Sequence, residues 1–185
     1  MNLRFILMTA LLLVPCYARA PEILTACSTL SDAEAVKLLG GPLGEVSKDE
    51  TTPSDENGND HQTACGHFPK GYSLEHAAGP PERGILITLH TMPNKDAAKR
   101  YYDGVYQMLK GMPAANGGGS NITSVSGIGE SAYLKRITLP KSTSKIVALT
   151  FLKRSVMVDI QIWKSSGSVD EIARQAARQV LAKLP

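Results

Sequence analysis

Val156-Met157-Val158-Asp159-Ile160-Gln161-Ile162-Trp163 is the stretch that decides the fold. Val156, Val158, Ile160 and Ile162 alternate with Met157, Asp159 and Gln161, the period-two pattern of a strand with one face in an apolar core and the other turned toward a more polar side. Working backward, Lys145 to Lys153, Ser131 to Thr138 and Ile122 to Val125 read as further strands, joined by connections too short for helical crossovers. Working forward, Ser168-Val169-Asp170-Glu171 has the spacing of a capping box. Val169, Ile172, Ala176 and Val180 then line one face of a closing helix.

The first half follows the same plan. Ser31-Asp32-Ala33-Glu34 is a capping box that opens a short helix over 32–39, stopped at Gly40. Lys48 to Asp60 has almost no apolar residue and reads as an exposed loop. Gln62 to Phe68 and Tyr72 to His76 are short strands, and Gly84 to Met92 is a stronger one with Ile85, Ile87 and Leu89 on one face. Asn94 opens a helix to about Lys110, in which Ala98, Tyr102, Val105 and Leu109 recur at helical spacing, and Pro113 to Ser120 is a linker. Each half thus ends strand, strand, helix, without the strand-helix alternation of a parallel sheet. The expected architecture is α+β, an antiparallel sheet with helices packed mainly on one face and the other face available for binding. A duplicated strand-strand-helix unit stays open, although no residue-level repeat accompanies it.

Residues 1–20 read as a cleavable signal peptide: Arg4 precedes an apolar run from Phe5 to Val14, and Ala18-Arg19-Ala20 supplies small residues for cleavage. An apolar run of roughly ten residues spans about 15 Å as a helix, half a bilayer core, so no transmembrane anchor is expected after signal removal. Leu13-Val14-Pro15-Cys16 resembles a lipoprotein box, but Pro15 stands where such boxes carry a small residue. Residues 21–185 are then a single domain, periplasmic or secreted. In an oxidising compartment its two cysteines, Cys27 and Cys65, are expected to form a disulfide.

Of the 20 Lys and Arg, Arg4 and Arg19 lie in the leader, leaving 18 against 17 Asp and Glu. A net charge so close to zero names no partner, and nucleic acid is not expected in an exported compartment. The distribution is uneven, however: residues 131–164 hold seven basic side chains and one acidic, Asp159. Lys135, Arg136, Lys153 and Arg154 are therefore the candidate contact patch for a partner.

His61, Cys65 and His67 have donor types that suit zinc or copper, but a disulfide would consume the thiol, so no metal site is expected. Asp55, Asn57 and Asn59 imitate the start of a calcium loop, yet Asp60 and Gly66 stand where Gly and Glu are needed. Ser142-Thr143-Ser144-Lys145 has Ser-x-x-Lys spacing without its companion motifs, and no nucleophile elbow, zinc-protease motif, phosphate loop or dinucleotide fingerprint occurs. Asn121-Ile122-Thr123 is a glycosylation sequon, relevant only in a eukaryotic host.

Gly127-Ile128-Gly129-Glu130-Ser131-Ala132-Tyr133 turns into a strand through two glycines. With Cys27, Leu38-Leu39-Gly40, Cys65 and the closing amphipathic helix, the chain resembles small exported or lipid-anchored α+β domains of bacterial cell envelopes. That group includes proteins of unknown function and the extracellular sensor domains of actinobacterial Ser/Thr kinases. The resemblance implies no catalytic residues and no cofactor. The expected function is a non-catalytic envelope protein that binds a protein partner or a small ligand. The alternatives are a periplasmic metal or small-molecule carrier using His61, His67 and Cys65, and a hydrolase whose site assembles from residues distant in sequence.

Overall fold

A computed structural model describes residues 24–44, 47–49, 60–72, 79–111, 120–137, 145–164 and 167–185. The expected signal segment, the calcium-like loop residues Asp55, Asn57 and Asn59, Ser142–Ser144, most of the 72–76 strand and most of the 113–120 linker lie outside them. The elements are α1 (Ala26–Thr29), α2 (Asp32–Leu39), β1 (Ser47–Asp49), β2 (His61–His67), β3 (Arg83–Thr91), α3 (Lys95–Gly111), β4 (Ser120–Ser124), β5 (Ser131–Ile137), β6 (Lys145–Lys153), β7 (Val156–Lys164) and α4 (Val169–Lys183).

The strands form one seven-stranded sheet in the order β1-β2-β3-β7-β6-β5-β4, with every neighbouring pair antiparallel. The alternating strand read first from sequence, β7, is inside the sheet, between β3 and β6. Its apolar set, Val156, Val158, Ile160 and Ile162, lies opposite Ile85, Ile87 and Leu89 of β3 and Val147, Leu149 and Phe151 of β6. Together with α1, α2 and α4 these residues form the main core, in which Val158, Ile160 and Ile162 are fully buried. Burial of each such side chain contributes about 1.5–3 kcal/mol. The helix α4 turns Ala173, Ala176, Ala177 and Val180 inward, and three alanines let its backbone lie close to the sheet.

The architecture is the expected α+β antiparallel sheet, with three of the four described helices on one face. The fourth and longest, α3, packs on the opposite face through Ala98 and Tyr102 against Tyr133, Leu152 and Met157. Both halves run as a meander followed by a helix, yet no two-fold rotation relates them. A rotation exchanging the antiparallel neighbours β3 and β7 would leave α3 and α4 on the same face.

Three local differences have physical causes. Ser47–Asp49, part of which was expected in a loop, is an edge strand paired to β2, because edge pairing uses backbone groups and needs no apolar side chains. The single turn α1 is too short to leave a helical period, and it is held by Ala26 N–H donating to Thr63 Oγ1 at 2.9 Å. Ser168 precedes α4 without a side-chain cap, its backbone at φ −87°, ψ 89°, while Asp170 is drawn into an ion pair with Arg136.

At α2 the expected capping box is complete: Ser31 N–H donates to Glu34 Oε2 at 2.8 Å and Ser31 Oγ accepts from Glu34 N–H at 3.3 Å. Lys183 of α4 donates to the same carboxylate at 2.8 Å. These partners, Lys183 first, lower the Glu34 pKa from 4.5 to about 2. A depressed carboxylate stabilises the fold above its unfolded pKa, and that contribution is lost as pH falls through the folded value. Urea unfolding followed from pH 6 to 2 should therefore show a stability loss between about 4.5 and 2 that Glu34→Gln flattens. An acid limb identical in the variant would assign the loss elsewhere.

Candidate functional site

The polar set of β7 faces away from the main core, and cross-strand register extends it into rows across the sheet. Thr88, Asp159, Thr150 and Tyr133 are successive partners on β3, β7, β6 and β5. Beside that row lies Leu86, Gln161, Ala148 and Lys135, and on its other side Gln62, His90, Met157 and Leu152. Two apolar clusters bound this polar floor. One is the α3 contact described above, and the other groups Phe68, Ile146 and Trp163, with Phe68 and Trp163 ring centroids 5.6 Å apart.

The helix α3 crosses above the floor. Asn94 fixes its start, accepting from Ala97 N–H at 2.9 Å. Tyr101, Val105, Met108 and Leu109, spaced at i, i+4, i+7 and i+8, fall on one face and form the roof. Between roof and floor is a cleft of about 400 Å³, within the usual size range for small-molecule sites.

The groups on the floor are ordered by one another. Thr150 Oγ1 donates to Asp159 Oδ1 at 2.7 Å, and Gln161 Nε2 donates to Asp159 Oδ2 at 3.0 Å. Burial, the largest influence, raises the pKa of the neighbouring Tyr133 hydroxyl, with Thr150 pulling the other way. His90 packs against Tyr101 with ring centroids 5.6 Å apart. Burial lowers its pKa below the ordinary imidazole value, against the opposing pull of Asp60 and Asp159. Asp159 thus sits in a preorganised network whose hydrogen-bonded partners are a hydroxyl and an amide.

The four candidate basic residues do not share one surface. Lys135 lines this cleft. Arg136, its neighbour along the strand, points to the opposite face, where it binds Asp170 beside a second hollow of about 360 Å³ at the start of α4. Lys153 and Arg154 are at the β6–β7 hairpin, where Arg154 adopts φ 52° and its N–H donates to Glu130 Oε1 at 3.1 Å. Adjacent strand residues face opposite sides, which is why nearness in sequence did not become nearness in space.

Cys27 and Cys65 form the expected disulfide, with Cα atoms 5.0 Å apart, so Cys65 has no thiolate to offer a metal. His67 is buried, its Nδ1 3.0 Å from Asp32 Oδ1, and burial lowers its pKa below the ordinary value although Asp32 pulls the other way. His61 is exposed. Among the described residues no group of three or more His, Cys, Asp or Glu is arranged to hold a metal ion.

The cleft residues Asp159, Thr150, Thr88, His90, Gln62, Tyr101 and Tyr133 were not singled out from sequence. One signal was there: Asp159 is the lone acid within 131–164 and stands on the most regular strand.

No protein-family model matches this chain, and no curated protein matches it. Among solved structures the chain is similar to the extracellular domain of PknH from Mycobacterium tuberculosis, at 12% identity and a TM-score of 0.57. The match covers 85% of this chain and 93% of that one. At the level of fold this agrees with the resemblance to extracellular kinase domains read from the sequence. Among the described residues, no helix is long and apolar enough to cross a membrane.

Proposed function

We propose that this protein is a non-catalytic exported protein of the cell envelope that binds a small ligand in the cleft between α3 and the sheet. The observation that carries the reading is the cleft's construction: a hydrogen-bonded trio of Thr150, Asp159 and Gln161 set in the floor beneath an apolar helical roof. Such a site combines area for apolar contact with a few fixed polar groups that orient a ligand. The leader-like segment, the disulfide and the fold shared with an extracellular domain support export. Of the residues put forward for contact, Lys135 belongs to this site, and Arg136 serves the α4 junction.

The test follows methyl resonances while a small-molecule extract of the host envelope is added. Met108 and Val105 on the roof and Ile137 on the floor should shift, while Ala176 and Val180 on the far side of the sheet stay still. In Ala148→Phe, which places a ring between Gln161 and Lys135, these shifts should fall at least tenfold at the same extract concentration. Undiminished shifts in a folded variant, or shifts confined to the far face, would move the binding site out of the cleft.

A further inference from the structure

We infer that the ligand of this cleft is a short peptide carrying both a free amino group and a free carboxylate. The inference rests on the binding role proposed above and deepens it. Two side chains of opposite charge line the same cleft, and among the described residues neither has a charged partner. Asp159 is bonded by Thr150 and Gln161, both neutral, and forms no ion pair among the described residues. The Lys135 side chain forms neither a hydrogen bond nor an ion pair with any of them, its backbone being paired within the sheet.

The register fixes how far apart they stand. Asp159 pairs with Thr150, and Lys135 pairs with Ala148 one strand further on and two residues along. At about 4.8 Å between strands and about 3.4 Å per residue, their Cα atoms are roughly 12 Å apart across the floor. An extended dipeptide, at about 3.3–3.6 Å per residue, separates its terminal charges by roughly 7 Å. Charge-assisted hydrogen bonds of about 2.8 Å at each end fill the remaining span, with the flexible lysine stem setting the final fit.

Desolvation discriminates among ligand classes. Any ligand that closes the cleft displaces water from both charges, and an unpaired charge taken out of water is expensive. A neutral sugar would leave both unpaired, and a simple amine or a simple anion would leave one. A zwitterion pairs both, its ammonium on Asp159 and its carboxylate on Lys135. Between them, Gln161 offers an amide group suited to a peptide bond, the small Ala148 leaves room, and Val105, Met108 and Leu109 suit an apolar side chain.

The probes are the dipeptide alanyl-leucine, its N-acetyl form, its C-amide and the neutral disaccharide maltose. Each is titrated into the purified protein by calorimetry while the Met108, Val105 and Ile137 methyls are followed. Alanyl-leucine should bind through these methyls, and blocking either terminus should weaken it at least tenfold. Asp159→Asn, which keeps an acceptor for Thr150, should erase the difference between free and acetylated forms, and Lys135→Gln the difference between acid and amide. If the blocked peptides or maltose move the same methyls as tightly as alanyl-leucine does, the zwitterion inference fails and the cleft remains the binding site. The same holds if the envelope extract moves them and alanyl-leucine does not. If no probe and no extract moves them, the binding role itself fails.

Discussion

Gly129→Val should destabilise the protein by about 3–5 kcal/mol, read from urea unfolding. Gly129 has φ +58°, a conformation that costs an ordinary L-residue about 1–2 kcal/mol and a β-branched one more. A Cβ at this position would collide with the backbone carbonyl oxygen of Leu152 and stand 3.2 Å from the Phe151 ring. Neither neighbour can yield cheaply. Leu152 O accepts from Glu130 N–H at 2.8 Å, and Phe151 is fully buried in the main core. The turn is pinned on other sides too, by Ile128 at 2% exposure and by Glu130, which binds Lys95 at 3.1 Å and the Arg154 N–H. Gly127→Ala is the control. Its φ of +75° carries a backbone cost of about 1 kcal/mol, but a Cβ there meets nothing within 4 Å. Equal losses in the two variants would show that conformation alone, without the collision, governs this turn.

These glycines illustrate what one chain reveals about its own fold. Gly127-x-Gly129 announced a turn because local conformation is a property of a few adjacent residues, but the collision that separates the two depends on β6, more than twenty residues away. The alternation in Val156–Trp163 announced a half-buried strand for the same local reason. Its position between β3 and β7's other neighbour β6, however, is fixed by long-range pairing. The cleft was less legible still. Each of its rows joins residues of four strands, so that Thr88, Asp159 and Thr150 acquire a common role only through register. The charge count pointed to Lys135, Arg136, Lys153 and Arg154 as one patch because it ignored pleat and hairpin geometry. It also counted Asp159 merely as the exception among seven cations. The placement of α3 on the face opposite the other helices has no local signature, since its apolar stripe fits either side of a sheet.

Removing the Cys27–Cys65 disulfide by paired Cys→Ala replacement should cost roughly 4 kcal/mol, the value expected from loop closure when a cross-link ties residues 38 apart. The cross-link acts mainly by restricting the unfolded chain, so the native contacts around it should survive its loss. Those contacts are extensive. Ala26 N–H remains on Thr63, Asp32 on His67, Lys183 on Glu34, and Arg83 on the Pro42 carbonyl at 3.0 Å. The variant should therefore keep a native spectrum at neutral pH and lower its urea midpoint, with little loss of cleft binding. Buried Cys65 also gives up its sulfur, and alanine leaves a small void that adds to the loss. Comparison with the reduced wild-type protein separates the two contributions, because reduction keeps both sulfurs and removes only the cross-link. If reduction lowers stability by less than about 1 kcal/mol, the loop-closure account fails and the unfolded chain must already hold α1 near β2. If reduction and replacement both cost close to 4 kcal/mol, the single cross-link supplies a large share of the 5–15 kcal/mol on which a domain of this kind ordinarily stands.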